Sequence, residues 1–172
     1  VMTVGGLYDA EDLYGPWETY KNIEKRSDNY NTVVFGPWSH GDWARTSERQ
    51  AVGNVYFGDN ISDYFQKDIE TRFFTHFLKG DGTGETELLE AHVFDSGSKQ
   101  WMSFNQWPPK NTMEASFFLG ERNKLTGSPS TKDQSESFVS DPANPVPYAE
   151  GKKMVFTPRK YMTDDQRFAA KR

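Results

Sequence analysis

Residues 1–36 constrain this chain more than any other stretch: two short β-prone runs flank one helix-length segment. Val1-Met2-Thr3-Val4 reads as a short buried strand, stopped by Gly5-Gly6. Asp9-Ala10-Glu11-Asp12 places three carboxylates ahead of a helix predicted over about Tyr14–Arg26. Pro16 sits near its first turn, and Lys21, Lys25 and Arg26 lie toward its end. Acid before the helix and base at its close is the order the helix dipole favours. Asn31-Thr32-Val33-Val34-Phe35 is a second apolar strand, closed by Gly36-Pro37. Such a crossover is nearly always right-handed and lays its two strands parallel. Their carboxyl ends therefore share one edge of the sheet, the edge where open α/β sheets bind ligands. Asp9 follows the first strand and His40 the second, so two residues 31 positions apart are predicted to meet. A carboxylate on one imidazole nitrogen fixes the tautomer and leaves the other nitrogen to act as a base. The missing partner of such a pair is a nucleophile.

Further along, a helix is predicted from about Ile61 to Lys79. Ile61, Tyr64, Phe65, Ile69, Phe73, His76 and Phe77 recur at three- and four-residue steps and make one apolar face. Asp59 or Asn60 is positioned to cap it and Gly80 to end it. Asp81-Gly82-Thr83-Gly84-Glu85 reads as a loop and a domain boundary. Beyond it the pattern changes to short β-prone runs at residues 90–94, 100–104, 115–119, 136–139 and 153–156, punctuated by Pro, Gly, Asn and Ser. That grammar predicts an antiparallel all-β module.

Composition narrows the classes. Phe, Val, Leu and Ile make only 33 of the 172 residues, but aromatics reach 15% and the net charge is a modest −5. Disordered chains lack aromatics, so this is a folded, aliphatic-poor protein. A lean apolar count also fits a piece of something larger. With no cysteine, a disulfide scaffold, a thiolate zinc site and a cysteine nucleophile are excluded. Neither oxidising nor reducing surroundings are favoured by that absence. With 25 acidic against 20 basic residues, no basic stripe invites nucleic acid or anionic lipid. No apolar run is long enough for a transmembrane helix. Three scattered histidines without H-E-x-x-H spacing give no metal site, and no cofactor motif is present.

Val4-Gly5-Gly6-Leu7-Tyr8-Asp9, followed by Phe35-Gly36-Pro37-Trp38-Ser39-His40, resembles the acid and base segments of a serine-hydrolase family. That family groups the X-Pro dipeptidyl-peptidases with cocaine esterase and the glutaryl-cephalosporin acylases. Leu7 to Gly15 is most similar to the α-amino-acid ester hydrolases within it. Phe73 to Gly80 resembles the stretch before the family's C-terminal jelly roll. Gln100-Trp101-Met102, Trp107-Pro108-Pro109 and Val139 to Pro147 resemble the start of that domain. The resemblance implies an α/β-plus-all-β chain. Residues 1–84 would be the C-terminal portion of an α/β-hydrolase catalytic domain, and 85–172 a partial jelly-roll β-sandwich. It also implies a Ser, Asp, His triad with Asp9 as acid and His40 as base. The serine belongs on a G-x-S-x-G-like elbow upstream of the acid, and this sequence holds none. Ser39 precedes the base, and Ser96-Gly97-Ser98 lies in a hairpin-like turn. The chain thus reads as a fragment with two-thirds of a triad, inactive alone. Its expected partners are a small-molecule ester or amide substrate and the missing N-terminal part of the same protein. Unpaired strand edges also predict self-association. The family occurs both secreted and inside cells, so the compartment stays open.

Each residue singled out has a plainer reading as well. Trp38 and Trp43 flank His40 and either line an acyl pocket, with Tyr8 beside them, or simply pack. Glu11 and Asp12 either complement the helix dipole or bind a substrate α-amino group, as acidic residues do in that branch. His76 reads as a core histidine and His92 as a strand residue with no partner signal. The rival to the enzyme reading is a non-catalytic β-sandwich module binding carbohydrate or protein. It leaves the ordered Asp9 and His40 segments without a reason.

Overall fold

The structure is a computed structural model, which describes residues 1–45, 51–53, 55–80, 86–122, 124–133, 135, 137–146 and 169. Strand β1 (Met2–Gly6), helix α1 (Tyr14–Arg26) and strand β2 (Thr32–Gly36) form the crossover. The two strands pair parallel, from Met2 opposite Thr32 to Gly6 opposite Gly36. A short helix α2 (Asp42–Arg45) follows, then a two-stranded ribbon of β3 (Ala51–Val52) and β4 (Val55–Tyr56). The run from Ile61 to Lys79 is helical throughout and is termed α3. Within it, α-helical Ile61–Tyr64 and Thr71–Phe74 alternate with π-helical Phe65–Glu70 and Thr75–Lys79. A four-residue step overshoots one α-helical turn and falls short of one wider π turn. Alternating the two holds the stripe Ile61, Phe65, Ile69 on one line, and all three are buried. The predicted side-chain cap is absent: Asn60 caps through a left-handed backbone, while Asp59 accepts the Tyr56 hydroxyl at 2.6 Å. Gly80 does end the helix, in an extended conformation, and a Cβ there would lie 2.7 Å from the His76 carbonyl oxygen, so a side chain at this place would force the backbone to shift.

The largest departure from expectation lies beyond Gly84. Strands β5 (Ala91–Asp95) and β6 (Gln100–Phe104) form the anticipated hairpin but not in a separate β-module. β5 pairs parallel with β2, so one mixed sheet runs β1-β2-β5-β6 across the boundary expected at residue 84. The reason lies in β2, all five of whose residues are buried. A strand covered on both faces and flanked by β1 on one side requires a neighbour on the other. β2 alternates its side chains between two cores. Val34 joins Trp38, Val52, Phe57, Ile61, Phe65, Ile69 and Phe94 on one face. Val33 and Phe35 join Tyr20 and Ala91, with Trp17 and Trp107 packed against them, on the other. Glu90 ties this second core together, accepting the Tyr20 hydroxyl and, at 3.1 Å, the Trp107 backbone N–H. Burial and the Glu90 carboxylate push the Tyr20 hydroxyl pKa upward.

Of the later predicted strands, the one expected at residues 115–119 forms in part, as Phe118–Gly120 (β7), paired with Lys124–Thr126 (β8). Among the described residues, 137–139 belong to no strand, with Phe138 and Val139 exposed, and 153–156 lie outside the described residues. A strand needs a facing sheet to bury its apolar side, and among the described residues none faces these.

His92 departs from expectation too. It is buried in β5 opposite Ser103, whose hydroxyl meets Nδ1 at 2.9 Å. Burial lowers its pKa from the ordinary 6.5. Below that value the unfolded chain takes up a proton that the folded chain resists, so this histidine's contribution is complete above 6.5 and is lost as the pH falls. Melting temperature is therefore expected to fall from pH 7 to pH 5, with a shallower slope in His92→Gln. Equal slopes for the two proteins would exclude His92 as the source. His76, expected in the core, is only half-buried and meets Phe77 edge-on at 4.7 Å.

Candidate active site

Two loops leave the same edge of the sheet, one after β1 and one after β2, and the backbone stitches them together. Leu7 N–H donates to the Gly36 carbonyl at 2.9 Å, and Tyr8 N–H to the Trp38 carbonyl at 3.0 Å. The Gly5-Gly6 pair permits this approach. A Cβ on Gly6 would sit 2.4 Å from the Trp38 carbonyl oxygen, and one on Gly5 would sit 2.6 Å from the Phe35 ring. Any side chain at Gly6 would drive the two loops apart.

Stitched in this way, the loops bring Asp9 and His40 into contact. The Asp9 side chain is 1% exposed, and its Oδ2 lies 3.0 Å from His40 Nδ1. Its Oδ1 accepts backbone N–H groups from Glu11 at 2.9 Å and Asp12 at 3.2 Å. The carboxylate is thus anchored by main chain on one side and imidazole on the other, which satisfies most of its acceptor capacity despite burial. With Nδ1 donating to Asp9, the free lone pair belongs to Nε2. The imidazole side chain is 36% exposed, so Nε2 is accessible. Glu11 Oε2 lies 3.5 Å from that nitrogen on a carboxylate that is half exposed.

The structure separates the two acids that the sequence paired. Asp12 Oδ1 accepts the Gly15 N–H at 3.0 Å and so serves the start of α1, whereas Glu11 turns toward His40. Trp38 does not line a pocket. It is 0% exposed, donates Nε1–H to Ser62 Oγ at 2.8 Å, and packs on Phe65 and Trp101. Its place immediately before the His40 turn, with no space beside the ring, makes it an anchor. Trp43 is half-buried against Trp38, and Tyr8 lies at the rim, its ring 5.3 Å from Phe57. An open apolar groove of about 450 Å³ does flank the acid loop, lined by Leu7, Leu13, Tyr14, Trp17, Phe35, Val93 and Trp107. None of the tryptophans proposed from sequence contributes to it. The serines singled out from sequence are occupied in turns: Ser39 Oγ, beside the candidate base in sequence, donates to Asp42, and Ser98 Oγ, in the β5–β6 hairpin, donates to Asp95. Among the described residues, no group of His, Asp and Glu is arranged to hold a metal ion.

Sequence reasoning missed Ser62 and Asp42. Neither has a signal at local spacing, since Ser62 meets Trp38 from another helix and Asp42 reads as one more polar loop residue.

No family model matches the chain. Cocaine esterase from Rhodococcus sp. (strain MB1 Bresler) is 28% identical over 167 residues, covering 86% of this chain and 28% of the esterase. Among solved structures, an aminopeptidase from the marine sediment archaeon Thaumarchaeota archaeon superposes with a TM-score of 0.85 at 28% identity. An α-amino acid ester hydrolase superposes with a TM-score of 0.84, also at 28% identity. Each alignment takes in 99% of this chain and 29% of the solved one. The chain thus spans less than a third of the length of these relatives. The chain, whose Gly-Gly-x-Tyr-Asp and Gly-Pro-Trp-x-His segments occur in order, is similar in sequence to cocaine esterase and in fold to an α-amino acid ester hydrolase and an aminopeptidase, which supports its resemblance to the hydrolase family that contains cocaine esterase.

Proposed function

We propose that this chain supplies the acid and the base of a serine hydrolase that cleaves ester or amide bonds through an acyl-enzyme. The nucleophilic serine would lie outside these 172 residues, and the chain alone would turn over no substrate. The observation that carries this reading is the Asp9–His40 pair, with Nδ1 bound and Nε2 accessible at the carboxyl edge of parallel strands. In the reaction the serine Oγ attacks the carbonyl carbon while His40 Nε2 takes its proton. The resulting imidazolium, supported by Asp9, passes that proton to the departing alcohol or amine. A water molecule then repeats the sequence, with His40 as base, and releases the acid.

Glu11 favours one substrate class. Its carboxylate lies 3.5 Å from the nitrogen that must face the scissile bond. An ammonium group one carbon from the carbonyl falls within reach of it, so α-amino-acid esters and amides fit best. Hydrolysis by the full-length protein is tested with a free α-amino-acid p-nitrophenyl ester and its N-acetyl counterpart. Glu11→Gln is expected to raise KM for the free amine by about tenfold and to leave the acetylated ester unchanged. Absence of turnover on every carboxylic ester and amide tried would overturn the hydrolase reading.

Residues beyond Phe104 are read as the opening of the family's jelly roll. The exposed apolar side chains of Phe117, Leu119, Phe138 and Val139 support this, as surfaces that a second sheet would cover. The same surfaces, with the open edge of β1, support pairing with the rest of the protein or self-association.

A further inference from the structure

A general base must be held at its backbone as well as at its ring, because the imidazole turns about two side-chain bonds. Asp9 sets the ring through Nδ1. The backbone of the His40 turn is set by a different carboxylate, Asp42, which begins α2 and is 8% exposed. Asp42 Oδ2 accepts the Ser39 backbone N–H at 3.1 Å and the Ser39 hydroxyl as well. In return, the Asp42 N–H donates to the Ser39 carbonyl at 3.1 Å. These bonds close a reciprocal ring around His40 and Gly41, a turn whose main-chain bond is reinforced by the Asp42 carboxylate. Arg45 adds a further tie, donating from Nη1 to the His40 carbonyl at 2.8 Å. Gly41 adopts φ +71°, a backbone that favours glycine, and a Cβ there would meet the Arg45 guanidinium at 2.9 Å and push it off the His40 carbonyl.

A carboxylate is strongly disfavoured in a buried position unless its oxygens are bonded, and here the bonds run to the residue preceding His40. A helix of four residues does not hold such a turn by its own ladder. We infer that Asp42 is a positioning residue for the base: it fixes the backbone from which His40 reaches Asp9. Its consequence for turnover rests on the hydrolase reading above, whereas the geometric part stands apart from it.

The test compares Asp42→Ala, Asp42→Asn and His40→Ala in the full-length protein, with two readouts. One is kcat and KM on an ester substrate. The other is the downfield proton resonance of His40 Nδ1–H, assigned by its loss in His40→Ala. Asp42→Ala is expected to lower kcat by about 10- to 100-fold with KM within about twofold, because the base is misplaced but still present. The downfield resonance should broaden or shift. Asp42→Asn should recover most of both, since its amide oxygen accepts the same Ser39 N–H; melting of each variant identifies any that fails to fold. Should Asp42→Ala be destabilised, Asp42→Asn and Ser39→Ala carry the test, with near-normal resonance in the first and a smaller loss in the second. An Asp42→Ala protein with kcat within threefold and an unmoved resonance would overturn the inference, as would a folded Asp42→Asn no better than Asp42→Ala. If His40→Ala is inactive and Asp42→Ala is not, only this inference fails. If His40→Ala itself keeps turnover, the role of His40 as base in the reading above fails, and the resonance still decides the geometric claim.

Discussion

Replacing His40 by alanine in the full-length protein is expected to lower kcat by on the order of a millionfold, with little change in KM. In the proposed mechanism the histidine serves both half-reactions, so its loss would remove proton transfer from acylation and deacylation together. Asp9→Asn should follow at about ten-thousandfold, and for a different reason. The asparagine can still accept the Glu11 and Asp12 N–H groups, so the loop survives. Its amide nevertheless favours an imidazole protonated on Nε2, the tautomer that cannot act as base. Circular dichroism spectra like those of the wild type, alongside steady-state kinetics, separate lost chemistry from lost fold. Retention of turnover within tenfold in His40→Ala would remove the histidine from the mechanism.

Trp38→Ala should be the most destabilising single change in the α/β part, by about 3–5 kcal/mol. The ring is 0% exposed and wedged among Trp43, Phe65 and Trp101. Removing it leaves a cavity that rigid neighbours cannot fill and deprives the buried Ser62 hydroxyl of its donor. A loss of that size is a large fraction of the stability of an ordinary domain, so much of the variant would be unfolded at 37 °C. Trp38→Phe should fall between, retaining contact with Phe65 while losing the bond to Ser62. Urea titration of the three proteins checks the order. A loss below about 1 kcal/mol for Trp38→Ala would mean that the site collapses freely and that the anchor role is misplaced. Because the Trp38 carbonyl also receives the Tyr8 N–H, the change should loosen the loop of Asp9 as well.

The π-helical turns of α3 are a further case in which tertiary packing overrode local preference. The four-residue spacing of Ile61, Phe65 and Ile69 signalled a helix correctly. Spacing alone did not reveal the widened turns, because they follow from keeping that stripe against Val34 and Trp38.

Local pattern by itself determined β1, α1 and β2, the edge they share, and the meeting of Asp9 with His40. Each of these rests on short-range regularities: an apolar run stopped by glycine, a helix-length crossover, and the handedness that parallel strands obey. Only the tertiary structure decided that β5 joins β2, through Val33 opposite Ala91, and that Trp38 points inward to Ser62. It alone turned Glu11 to His40 and set His92 beside Ser103. These contacts join residues whose neighbours in sequence carry no trace of the pairing. They were chosen by which arrangement buries both faces of β2 and satisfies its hydrogen bonds, a balance struck over the whole sheet rather than within any one segment.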